Sequence, residues 1–79
     1  MQSTSPPTVI RLRADAFAAW AAREGLGSET AQAKRIGVAQ TNLNRILRGV
    51  TAPGEQFIAA VLTVTGTPFE YLFEITEAS

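Results

Sequence analysis

The stretch SETAQAKRIGVAQTNLNRILRG, residues 28–49, decides how the rest of the chain is read. It divides into two short helices joined by a tight turn. Ser28 suits the N-cap of the first, because its hydroxyl can accept from one of the free N–H groups at a helix start. A small and polar run (Ala31, Gln32, Ala33, Lys34, Arg35) leads to Ile36, and Gly37 follows where the chain must turn. Glycine enters the left-handed region without the Cβ clash that opposes other residues there. Val38, Leu43, Ile46 and Leu47 then recur at helical spacing and define a core-facing stripe. The other side of the second helix carries Gln40, Thr41, Asn44, Arg45 and Arg48. Gln, Asn and Arg match the donors and acceptors of base edges in the major groove of duplex DNA, while Thr, Arg and Lys hold phosphate oxygens.

This helix-turn-helix pattern resembles the DNA-binding domain of phage repressors and Cro proteins, the lambda repressor-like family, and the related small bacterial regulators. The matching residues are Ala33, small where two helices cross, and Gly37 four residues later in the turn. Val38, Leu43 and Ile46 match the core positions, and Arg45, Arg48 and Gly49 match the end of the recognition helix. The following segment, GVTAPGEQFIAAVLTVTGTPFEYLF, is similar to the family's continuation: a loop with proline, a fourth helix, and a short fifth helix ending in Leu72-Phe73. The resemblance spans residues 15–73. It implies an all-α, five-helix domain that docks a recognition helix in the major groove. Two positions depart from the pattern. Gln32 stands where the family places an aliphatic residue against the core. Ala39 stands where serine commonly caps the recognition helix, a loss of about 1 kcal/mol.

Length and composition fit one small domain. A chain of 79 residues has room for one modest core, with roughly 60% of its unfolded surface buried. At 46% hydrophobic residues the chain can bury enough apolar surface to fold. Without cysteine or histidine it has neither a disulfide staple nor the common zinc ligands, and no cofactor is expected. MQSTSPPT lacks the charged and apolar regions of a signal peptide, and no run approaches about 20 apolar residues. The expected location is cytoplasmic, with no membrane partner.

The zero net charge conceals a segregation. Residues 1–48 hold all seven basic residues against Asp15, Glu24 and Glu29, a net of +4. Residues 49–79 hold no Lys or Arg and four glutamates, Glu55, Glu70, Glu74 and Glu77, a net of −4. A basic half suited to phosphate thus carries the helix-turn-helix, and the acidic half faces elsewhere. Ordinary solvated faces are the competing reading.

Outside the motif, residues 1–8 are rich in Ser, Thr and Pro and are expected to form a flexible arm, with the folded domain over 9–76 and a tail at 77–79. Val9 to Leu12 can form a short strand. Ala14 to Glu24 reads as a helix with Phe17, Trp20 and Ala21 on one face, closed by Gly25 and Gly27. Pro53-Gly54 starts the fourth helix, which presents Phe57, Ile58, Val61 and Leu62; Gly66 to Pro68 break it, and Pro68 suits the first turn of the fifth. Residues 72–76 can form a strand as readily as a helix end. Paired with residues 9–12, it would set Glu74 against Arg11 or Arg13. Such a charge pair contributes about 0.2–1 kcal/mol, so burial of Ile10, Leu12 and Ile75 must supply most of the stability.

An enzyme is not expected. The hydroxyl groups lack a visible base partner, the carboxylates form no close pair, and the GVTAPG loop lacks the Gly-Lys-Ser/Thr ending of a phosphate-binding loop. The reading adopted is a Cro-like phage or bacterial repressor that binds duplex DNA as a homodimer on a palindromic operator. Neither a sensor domain nor a small-molecule ligand is expected, and control is expected through concentration and competition. Two alternatives stay open: a DNA-binding antitoxin whose acidic half holds a toxin, and a protein-interaction module that keeps the fold but no longer reads DNA. Gln40, Thr41, Asn44 and Arg45 are the expected base readers, since the start of the recognition helix points into the groove in this family. Ser28, Thr30, Lys34, Asn42 and Arg48 are the expected phosphate anchors, helped by free N–H groups of a helix's first turn. A dimer interface is expected around Phe69, Tyr71, Phe73 and Ile75, with Val9 to Leu12 beside it, because the reading face must stay open.

Overall fold

The computed structural model describes residues 8–77. The elements run β1 (Thr8–Leu12), α1 (Ala14–Arg23), α2 (Glu29–Ile36), α3 (Gln40–Leu47), α4 (Glu55–Thr65), α5 (Phe69–Leu72) and β2 (Phe73–Glu77). Five helices thus form the body, as the pattern predicts, and the two strands join its ends. The arm expected over residues 1–8 and the tail over 77–79 lie outside the described residues, apart from Thr8 and Glu77, which pair at the open end of the ribbon. Among the described residues, no helix is long and apolar enough to cross a membrane.

Turn chemistry accounts for the helix boundaries. Ser28 is extended and its Oγ accepts from the Ala31 amide at 3.1 Å, capping α2. Gly37 ends α2 at φ 90°, where its amide and that of Val38 both donate to the Ala33 carbonyl. This left-handed exit leaves two residues for the turn into α3. At the start of α3, Ala39 is extended but supplies no side-chain cap, as its identity implies. Pro68 precedes α5 as its N-cap residue instead of lying within its first turn, a shift of one position.

The core is continuous. Phe17, Trp20 and Ala21 from α1, Ala33 and Ile36 from α2, Leu43 and Ile46 from α3, and Phe57 and Val61 from α4 pack together with Leu12, Leu72 and Phe73. Ala33 is 2% exposed, so its small side chain is what lets α2 lie close against its neighbours. Gln32 is half-buried, yet its amide is satisfied, donating to the Leu26 carbonyl at 3.1 Å. The polar substitution therefore bonds to the loop before α2, and the cost of burying an unpaired amide is avoided.

β1 and β2 pair antiparallel, with Leu12 opposite Phe73, Ile10 opposite Ile75 and Arg11 opposite Glu74. The glutamate's ion pair goes to the neighbouring arginine, Arg13, at 3.4 Å. With both side chains about 40% exposed, this bridge adds little. One part of the expected packing fails: Ile75 is 64% exposed. Directly opposed residues share a face. Leu12 and Phe73 lie over the core, whereas the Ile10–Ile75 pair is two residues farther along the ribbon, beyond its cover on the β2 side. Leu12 and Phe73, with the half-buried Ile10, therefore supply the buried area.

Candidate nucleic-acid interface

α3 is built to show one face. Leu43 and Ile46 are buried and Leu47 is half-buried, fixing the inward stripe. Thr41, Arg45 and Arg48, spaced i, i+4 and i+7, are all exposed and lie opposite it. Gln40 and Asn44 form the adjoining stripe, exposed and half-buried respectively, and Asn42 is exposed beyond the other edge of the reading face. No carboxylate lies on α3.

Gln40 and Asn44 meet a residue that the sequence reading did not single out. Glu29, the first residue of α2, accepts from Gln40 Nε2 at 2.7 Å and from Asn44 Nδ2 at 3.0 Å through the same oxygen, Oε1. In sequence Glu29 looks like an acidic residue placed to complement the α2 dipole. Nothing in its spacing announces a partner 11 or 15 residues away. The contact exists because the turn at Gly37 folds the start of α3 back beside the start of α2.

The other expected anchors are arranged around α2. Ser28, Thr30 and Lys34 are exposed. The Ser28 oxygen is occupied as an acceptor by its capping bond, and its hydroxyl hydrogen remains available to donate. Arg35 is drawn to Glu24 at 3.0 Å, which pairs it within the protein. Of the residues expected at an interface between protomers, Tyr71 is exposed and Phe69 is half-buried. Phe73 is 1% exposed and stacks on Phe69, with ring centroids 5.2 Å apart. It belongs to the core of the protomer and offers no surface, a correction that follows from its place opposite Leu12.

A cleft of about 180 Å³ lies between β1 and the loop after α3, lined by residues including Ile10, Arg11, Ile46, Val50 and Pro53. It is smaller than the roughly 300–1,000 Å³ usual for a small-molecule site.

A family model described as helix-turn-helix matches residues 28–72, more than half of the chain. No curated protein and no solved structure matched the chain. The matched segment runs from the α2 cap to the end of α5 and so takes in both helices of the motif and the contacts of Glu29 with Gln40 and Asn44. The chain belongs to the Cro/C1-type, lambda repressor-like helix-turn-helix family of DNA-binding transcription regulators.

Proposed function

We infer that the protein reads a specific duplex sequence by laying α3 in the major groove, and that it represses transcription by occupying its operator as a homodimer, in the manner of a Cro protein in the cytoplasm. The observation that carries this reading is the α3 surface: Thr41, Arg45 and Arg48 exposed in one line, with Gln40 and Asn44 beside them and no acidic residue on the helix. Thr41, Gln40, Asn44 and Arg45 have the groups needed for base edges. Ser28, Thr30, Lys34, Asn42 and Arg48 have those needed for phosphates, and the net of +4 over residues 1–48 supports the same orientation.

A single recognition helix covers only a few base pairs, and a second half-site raises specificity. Tyr71 and Ile75, 45% and 64% exposed, lie outside the helix-turn-helix and suit the contact between protomers, with Phe69 and β1 at its margin. The same apolar side chains within an acidic segment would also suit a basic protein partner, which is the antitoxin reading.

Selection of bound sequences from a random duplex pool tests the function. A single enriched motif with two-fold symmetry is expected. Sedimentation that stays monomeric, both free and on the selected duplex, would remove the dimer. Failure to enrich any motif at low salt would leave a protein-interaction module, and co-purification of a second small protein would favour the antitoxin.

A further inference from the structure

Arg11 stands on β1 directly opposite Glu74 of β2, the position from which a cross-strand ion pair would form. Glu74 pairs with Arg13 instead, at 3.4 Å, and among the described residues no carboxylate lies within ion-pair distance of Arg11. The Arg11 side chain runs the other way, to the C-terminal end of the recognition helix. Its Nη1 lies 2.7 Å from the point that a Cβ on Gly49 would occupy, and Gly49 directly follows Arg48, the cap residue of α3. Two causes act together. Arg13 takes up the glutamate's charge, and the C-terminal end of a helix carries a partial negative charge that draws a cation.

A strand outside the helix-turn-helix thus sets a guanidinium at the end of the α3 helix. Arg11 is exposed, as are Arg48 and the loop residues Val50, Thr51 and Ala52. Neither α3 nor the loop through Gly54 contains a carboxylate, so an approaching anion meets no repulsion from them. The guanidinium keeps its charge across the physiological range and has donors only, in a planar fork that fits phosphate oxygens. The helix end offers it only about half an elementary charge, and at an exposed site that attraction is screened by salt. Most of the donor capacity of Arg11 is therefore uncommitted.

We propose that Arg11 is a phosphate contact of the DNA interface, carrying that interface from the helix-turn-helix onto β1 and adding a second arginine, beside Arg48, at the exit of the recognition helix. The Arg13–Glu74 pair keeps Arg11 available, since the glutamate lies directly across the ribbon and would otherwise compete with a phosphate for the same guanidinium. This rests on the DNA-reading function proposed above. The contact is independent of sequence: it adds affinity and salt dependence and leaves the choice of base to α3.

The test titrates the selected duplex and a random duplex at several salt concentrations with the wild-type chain, Arg11→Gln, Arg11→Lys and the double variant Arg13→Gln/Glu74→Gln, alongside thermal unfolding of each. Arg11→Gln is expected to weaken both duplexes about equally, keep the wild-type base ranking and flatten the salt dependence by roughly one unit per protomer. Between about 50 and 200 mM salt, its affinity should then fall about 3- to 4-fold less per protomer than that of the wild type. Arg11→Lys keeps the charge and should keep the slope. The double variant removes the ion pair, leaves Arg11 in place and should keep the slope too. An Arg11→Gln variant with the wild-type slope overturns the proposal; joined to a lower thermal midpoint, that result marks a charge that only stabilises the end of α3. So does an Arg11→Lys or a double variant that flattens the slope as far as Arg11→Gln, because the effect would then belong to the shape of the ribbon and not to a charge at residue 11. If the wild-type chain binds neither duplex at low salt, the DNA-reading function fails and this inference with it; normal wild-type binding that is insensitive to residue 11 removes the inference alone.

Discussion

Arg11 lies across Gly49: a Cβ on Gly49 would come within 2.7 Å of Arg11 Nη1. The chain leaves α3 through Gly49 at φ 77°, and the arginine of β1 takes the space a side chain would fill. Gly49→Ala is expected to cost about 1–2 kcal/mol, the penalty of a left-handed backbone at a residue with a Cβ. The Arg11 contact adds little, because the end of that side chain can move. Urea denaturation should show a lower midpoint with an unchanged slope.

The two helices of the motif differ in their caps, and stability should follow. Ser28→Ala removes the bond to the Ala31 amide and is expected to cost about 1 kcal/mol. Ala39→Ser places a hydroxyl on an extended, exposed residue before α3 and is expected to stabilise by a similar amount. For a domain of this size each change corresponds to roughly 4–8 °C in thermal midpoint. Shifts of the same sign in the two variants would contradict the capping account.

Phe73 and Ile75 lie two residues apart on one strand and should behave oppositely. Phe73→Ala empties a site 1% exposed, packed edge-on against Phe57 and stacked on Phe69. A loss of about 3–5 kcal/mol is expected, enough to unfold much of a marginal domain. Ile75→Ala should change protomer stability by less than about 1 kcal/mol and weaken self-association instead. Sedimentation and thermal unfolding on the same samples separate the two effects.

Gln40 and Arg48 should divide base reading from anchoring. Gln40→Ala is expected to lose about 1–3 kcal/mol on the selected duplex and little on random DNA, relaxing one base position. Arg48→Ala should weaken both about equally and flatten the salt dependence by roughly one unit per protomer. Titrations at two or more salt concentrations check both; equal losses on specific and random DNA for Gln40→Ala would show that Gln40 does not read sequence.

The helices of this protein, their caps and most of the buried stripe can be read from the sequence, because each rests on short-range physics. Ser28 meets Ala31 three residues away, Gly37 receives its left-handed turn from its own missing side chain, and Leu43 and Ile46 share a face through the helical repeat. The strand pairing of the chain ends was also legible, as complementary patterns at residues 9–12 and 72–76. What tertiary structure alone decided was how far cover extends and which polar groups meet. The core ends between Phe73 and Ile75, so two apolar residues on one face of one ribbon have opposite surroundings. Glu29 reaches Gln40 and Asn44 only because α2 and α3 cross at a particular distance and angle. That geometry comes from the packing of Ala33, Ile36, Leu43 and Ile46 with the rest of the core, and no local preference of Glu29 encodes it.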